Sequence, residues 1–190
     1  SSDVCSSDLK VFVSRDYHFN KVKTFHHMMD ERTQEEPRAW DLEGATHRAG
    51  FTIEELVEFV RAASPSEEDF GQALSQLHQA LDKAADKVAK KTPAQQDLIG
   101  QVDALIDTLY FTYGSFVLMG VDPERIFDIV HQANMGKIFP DGKAHFDPVT
   151  HKILKPDDWE EKYAPEPAIK KELQRQLKAY ERHKERNNTQ

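Results

Sequence analysis

At 190 residues with a formal net charge of −8, the chain is sized for one domain and carries no overall electrostatic pull toward nucleic acid. Its single cysteine, Cys5, excludes a disulfide framework and a cysteine-based zinc site. No apolar run approaches the ~18 residues that a membrane-crossing helix needs, and no signal-peptide pattern is visible, so a cytoplasmic protein is expected.

In chain order, Ser1 to Leu9, "SSDVCSSDL", shows no helical or strand period and resembles the translation of a sequencing-library adapter. We treat residues 1–9 as a non-native extension, the alternative being a natural disordered tail. A first helix is expected around Phe19 to Asp30. A second covers Phe51 to Ser64, with Ile53, Leu56, Val57 and Val60 on its apolar face, Pro65 at its end, and Thr52 to Glu55 matching a capping box. A third runs from Glu67 to Lys90, with Phe70, Leu74, Leu77, Leu81 and Val88 inward. The strongest period lies between Ala94 and Met119, where Leu98, Val102, Leu105, Leu109 and Phe116 fall at helical spacing and predict a central, mostly buried helix. Asp122 followed by Pro123 and Glu124 starts a further helix over "PERIFDIVHQANMGK".

From Phe139 to Trp159 the pattern changes to Asp-Gly, scattered prolines and short alternating runs, which predicts a hairpin or an extended arm. The tail returns to helix from Ala168, with a narrow stripe of Ile169, Leu173, Leu177 and Tyr180. Seven basic residues stand against three acidic ones between Lys170 and Arg186. No aromatic platform interleaves those charges, so they form the solvated face of a docking helix rather than a nucleic-acid-binding tail. The expected architecture is an all-α helical bundle over residues 10–160, with a short irregular arm and a C-terminal helical tail over 161–190.

Two acidic clusters carry the chemistry. Glu58 shares a helix face with both Glu54 and Glu55, and like charges at that spacing cost a few tenths of a kcal/mol per pair. No lysine or arginine stands four residues on. Asp103 and Asp107 lie one turn apart inside "QVDALIDTLYF", and no arginine, lysine or histidine occurs between Thr92 and Asp122. A buried carboxylate without a partner costs several kcal/mol, so compensation must come from another helix or from a metal. If the two acidic helices pack antiparallel, four or five carboxylates converge on an all-oxygen cage suited to Mg²⁺ or Mn²⁺.

The motifs Glu54-Glu55-x-x-Glu58, "VDALIDTLYFTYG" and "VHQANMGK" resemble those of the all-α nucleotide pyrophosphohydrolases of the MazG-like and phosphoribosyl-ATP pyrophosphohydrolase-like superfamily, over roughly Val22 to Trp159. The resemblance implies a Mg²⁺-dependent enzyme that cleaves a nucleoside triphosphate between its α and β phosphates, releasing a monophosphate and pyrophosphate. It implies Glu54, Glu55, Glu58 and Asp107 as metal ligands, with Glu54 or Glu55 as the base. The family's usual glutamate three residues before that aspartate is Ala104 here, and Asp103 is the available substitute. Asn134 and Lys137 match the family's asparagine-to-lysine signature and would hold phosphate or ribose; without the resemblance they read as a helix end and its dipole partner. His131, on the same helix, is a further candidate for substrate binding. A homo-oligomer, most simply a dimer, also follows from the resemblance.

Hydrolysis of phosphoribosyl-ATP is the alternative within enzymes, and a non-catalytic nucleotide-binding bundle the alternative outside them. A salt-sensitive accessory role in nucleic-acid binding rests on the tail alone. "GKIFPDGKA" fails as a phosphate-binding loop, because its spacing is one residue too long, proline interrupts it, and Ala144 stands where a hydroxyl is needed. His26 and His27 have no metal-ligand spacing with another histidine, and Lys143 and Arg48 read as ordinary surface charges.

Overall fold

The computed structural model describes residues 14–29, 33–34, 36–91, 94–149 and 152–187, so the reading of Ser1 to Leu9 lies outside the described residues. Seven helices follow one another: α1 (Tyr17–Met29), α2 (Leu42–Ala63), α3 (Glu67–Ala89), α4 (Leu98–Met119), α5 (Glu124–Met135), α6 (Trp159–Tyr163) and α7 (Glu166–Asn187). The fold is all-α, as expected. Among the described residues the β content is a single antiparallel bridge, Phe146 to Ile153, within the arm. None of the described helices is long and apolar enough to cross a membrane.

The chain divides into two compact units, Glu36–Tyr110 on one side and Ser1–Glu35 with Phe111–Gln190 on the other. In the first, α2 packs on α3. The start of α2 differs from the sequence reading. Asp41 is its N-cap, its carboxylate accepting from the Gly44 amide at 2.7 Å, so Thr52 lies inside the helix and the expected capping box does not form. The Asp41 signal is the stronger one because it is followed by a glutamate in the first turn, Glu43, and preceded by Trp40, whose ring closes over Gly44. Ser66 caps α3 by accepting from the Asp69 amide, and Arg61 pairs with Glu67 across the turn.

In the second unit, α5 packs on both α1 and α7. Asp122 accepts from the Glu124 amide at 3.0 Å, fulfilling the predicted start of α5. α7 is fixed to that start by the Gln176 amide, which accepts from the Asp122 N–H at 3.0 Å and donates to the Asp122 carbonyl at 2.9 Å. Gln176 also donates to Glu172, whose carboxylate receives Arg175 in a bidentate pair at 2.6 and 2.7 Å. These bonds to Arg175 and then Gln176 hold the Glu172 carboxyl down at about 2, against an ordinary 4.5. A depressed carboxylate stabilises the fold above its ordinary pKa and loses that contribution as pH falls through the folded value. Thermal unfolding of the wild-type chain should therefore weaken between pH 4.5 and about 2, and a Glu172→Gln variant should show a shallower fall over that window.

The arm beyond α5 is anchored by Trp159, which is buried and donates from its indole nitrogen to the Ala133 carbonyl at 2.8 Å. Lys155 lies over its ring at 3.7 Å. Gly136 is obligatory here, since a Cβ would collide with the Tyr163 ring. Trp159→Ala should cost about 3–5 kcal/mol in denaturant unfolding, and Trp159→Phe, which leaves the Ala133 carbonyl without its donor, about 1–3 kcal/mol.

α4 departs most from expectation. It ends as foreseen at Met119, where Gly120, at φ +68°, closes the helix with bonds from its own N–H to the Val117 carbonyl and from Val121 to the Phe116 carbonyl. It is, however, not buried in this chain. Ile99 is 80% exposed, Tyr110 76%, Phe111 72% and Leu118 90%, and α4 holds no buried residue. Among the described residues the helix pairs that pack extensively are α1–α5, α2–α3 and α5–α7.

Candidate metal and nucleotide site

All five acidic residues singled out from the sequence lie within the Glu36–Tyr110 unit. Glu54, Glu55 and Glu58 occupy the middle of α2 and are exposed. Asp103 and Asp107 occupy the first half of α4 and are exposed as well. Asp103 lines a shallow, open groove formed otherwise by Leu98, Ile99, Val102 and Ile106, so its carboxylate stands in an apolar surround. Glu55, Glu58, Asp103 and Asp107 make no side-chain hydrogen bond or ion pair among the described residues. Ala104 contributes its carbonyl to Thr108 Oγ1 at 2.8 Å and nothing that could ligate.

The two acidic sets are not brought together within one chain. Among the described residues no group of three or more histidine, cysteine or acidic side chains surrounds a common point. The reason lies at the helix starts. The Trp40 N–H donates to Gln101 Oε1 at 2.8 Å, and the amides of Gln96 and Gln101 donate to the Trp40 carbonyl at 3.1 and 3.0 Å. That tie joins the N-terminal end of α2 to the N-terminal end of α4, which is incompatible with the antiparallel pairing anticipated from the sequence. At 1.5 Å per residue, Glu54 lies about 20 Å from the tie along α2, whereas Asp107 lies only about 9 Å from it along α4.

The donor chemistry nevertheless fits a divalent cation. Carboxylate oxygens without competing nitrogen or sulfur ligands suit a hard ion such as Mg²⁺ or Mn²⁺. When bound, such an ion would neutralise charge on phosphate oxygens.

The second unit holds the predicted substrate-binding residues, all on or just after α5. Lys137 donates from Nζ to Asn134 Oδ1 at 2.8 Å, which fixes the Asn134 amide with its nitrogen left as a donor. His131 is half-buried, and burial together with the nearby Lys21 cation pushes its pKa below the ordinary histidine value, against the pull of Asp128. It is therefore a neutral hydrogen-bonding group at neutral pH.

Sequence reasoning missed the polar network beside it. Asp128 accepts from Tyr17 Oη at 3.0 Å and pairs with Lys21 at 3.3 Å, and His18 Nδ1 meets Tyr113 Oη at 2.8 Å while its ring lies on Phe127 at 4.3 Å. The available signal was Asp128, one turn before His131 on the same face of α5. The basic stretch of α7 behaves as predicted for a solvated face, and Ile169, Leu173 and Leu177 line a shallow open groove on it.

Residues 22–134 match the model of the phosphoribosyl-ATP pyrophosphohydrolase family. The chain belongs to that family. It is thus a nucleotide pyrophosphohydrolase. Among solved structures it is similar to a candidate NTP pyrophosphohydrolase from Exiguobacterium sp. 255-15, determined at 1.78 Å, with 38% sequence identity, a TM-score of 0.79, and coverage of 88% of this chain and 99% of that one. No curated protein matches. The matched span contains α2, α4 and almost all of α5, and hence both acidic clusters, Glu54, Glu55 and Glu58 with Asp103 and Asp107.

Proposed function

We propose that this pyrophosphohydrolase is a cytoplasmic, Mg²⁺-dependent enzyme, with Mn²⁺ as a competent substitute, that hydrolyses nucleoside triphosphates to the monophosphate and pyrophosphate. The observation that carries the reading is Asp103 and Asp107, two carboxylates one turn apart on an apolar helix, without a cation or a hydrogen-bond donor among the described residues. Such a like-charge pair costs a few tenths of a kcal/mol, which a bound cation would reverse. Glu54, Glu55, Glu58, Asp103 and Asp107 are the metal ligands in this reading. Glu54 or Glu55 takes the proton from the water that attacks the α phosphorus; the bond from that phosphorus to the bridging oxygen breaks, and pyrophosphate leaves. Asn134 and Lys137 hold phosphate or ribose, and His131, neutral, donates or accepts a single hydrogen bond.

Residues 10–160 form the catalytic domain and 161–190 a helical tail, and the enzyme works as a homodimer that covers α4. Ile99, Tyr110, Phe111, Val117 and Leu118 of α4 are each more than 70% exposed, an apolar face of the kind that marks an interaction surface.

Phosphoribosyl-ATP is the second substrate reading, favoured by the description of the family that the chain matches. Pyrophosphate release from a panel of ribo- and deoxyribonucleoside triphosphates and phosphoribosyl-ATP, with Mg²⁺ and with chelator, separates the two. Metal-dependent turnover of the triphosphates supports the first; turnover of phosphoribosyl-ATP alone overturns it in favour of the second.

A further inference from the structure

We propose that Lys21 is a positioning residue for His131: pinned by Asp128 and Tyr17, it holds the imidazole as a hydrogen-bond acceptor toward an uncharged donor group of the nucleotide. The inference rests on the reading of His131 as a substrate-binding group and adds what that group reads.

The geometry is a clamp on one ammonium. Lys21 Nζ lies 3.3 Å from Asp128 Oδ1 and 4.8 Å from the centre of the Tyr17 ring, while Tyr17 Oη donates to the other Asp128 oxygen at 3.0 Å. The Lys21 side chain is only 21% exposed, so its charge is held against α5 rather than dissipated in water. On α5, His131 follows Asp128 by three residues and Asn134 follows His131 by three, which puts all three on one stripe of the helix.

Lys21 and Asp128 are the charges that act on His131. Burial acts first against protonation and Lys21 next, and Asp128 opposes them more weakly. The other groups that α1 brings to this stretch of α5 are Tyr17 and His18, and His18 is engaged with Tyr113 at 2.8 Å. From α7, Glu172 and Arg175 meet the opposite end of α5, beside Arg125 and Asp122.

A subsite for phosphate would gain from an imidazolium, because charge-assisted hydrogen bonds are about twice as strong as neutral ones. Here a fixed cation stands beside the ring and works against that charge. The positive charge that phosphate needs is supplied instead one turn further on, where Lys137 bonds to Asn134 at 2.8 Å. The neutral ring keeps a lone pair, which only a donor can use. Sugar hydroxyls and base amines are the uncharged donors that a nucleotide offers.

The test uses two substitutions that break one ion pair from opposite sides. The imidazole titration of His131 is followed by NMR in the full-length protein, its signal assigned by its loss in His131→Gln, beside kcat and KM for a nucleoside triphosphate between about pH 5.5 and 8.5. Lys21→Met should raise the His131 midpoint and Asp128→Asn should lower it, while Lys21→Arg, which keeps the charge, should hold it where wild type has it. Near pH 6, Lys21→Met should raise KM by about 2–10-fold, the worth of one hydrogen bond, with kcat little changed and the difference narrowing as pH rises. Repeating the comparison with a triphosphate whose base lacks an amine separates the two donors, since only an amine-reading site loses its pH response.

If the pair merely ties α1 to α5, either substitution loosens the contact and exposes the ring, so both midpoints rise and Lys21→Met and Lys21→Arg differ little; that result overturns the proposal. A KM that falls on the acid side in Lys21→Met overturns it too, because an imidazolium would then be binding phosphate. Opposite midpoint shifts with a KM indifferent to them remove His131 from the nucleotide, and the failure then lies in the substrate-binding reading rather than in the coupling of Lys21 to His131. Should Asp128→Asn fail to fold, the contrast between Lys21→Met and Lys21→Arg still decides, since both leave Asp128 and its bond from Tyr17 in place.

Discussion

A Glu55→Gln variant should release pyrophosphate about 10²–10⁴-fold more slowly than wild type, with little change in the KM for nucleotide, because glutamine keeps the shape of the side chain but cannot take the proton from water. Stopped or continuous pyrophosphate detection at saturating Mg²⁺ measures the effect. Asp107→Asn should behave differently. It removes a ligand that is not also a candidate base, so the concentration of Mg²⁺ needed for half-maximal rate should rise, by about 10–100-fold if an aspartate ligand is worth what supporting groups around metals are typically worth. Excess Mn²⁺ should recover part of that loss. Stability offers the control. Glu55 shares its face with Glu58, so neutralising it relieves a repulsion of a few tenths of a kcal/mol and should leave the melting temperature unchanged or slightly raised. If the glutamates were merely a solvated face, the same substitution would leave turnover intact. The pairing of a large kinetic loss with no thermal loss therefore distinguishes chemistry from folding.

The helical order of the chain was legible because its signals are local. The apolar period of α4, the proline after α2 and the Asp122-Pro123-Glu124 start of α5 each act within one or two turns, and each element forms where that chemistry places it. The start of α2 was not read, because Thr52 and Glu55 imitate a capping box while the true cap, Asp41, lies three turns upstream. α6 was absorbed into the arm, since Trp159 identifies it only through a bond to Ala133, 26 residues earlier. The acidic residues were recognisable by type and spacing. Their placement relative to one another was not, because it depends on the Trp40 to Gln101 tie across 61 residues and on which surface covers α4. Apolar periodicity says that a face will be covered. It does not say by which chain.

Leu118→Glu tests that last point with the opposite balance of effects. Leu118 is 90% exposed in the single chain, beside Val117 at 77%, so a charge there would cost no more than about 0.5 kcal/mol if the chain acted alone. If a second copy covers α4, the same substitution places a carboxylate against apolar surface and costs several kcal/mol per copy. The expected result is conversion to a monomer in light scattering, together with a drop in melting temperature. Turnover should fall with it at low protein concentration and partly return as concentration rises, because mass action favours the assembled form. Lys184→Glu, on the solvated face of α7, should leave assembly and activity unchanged.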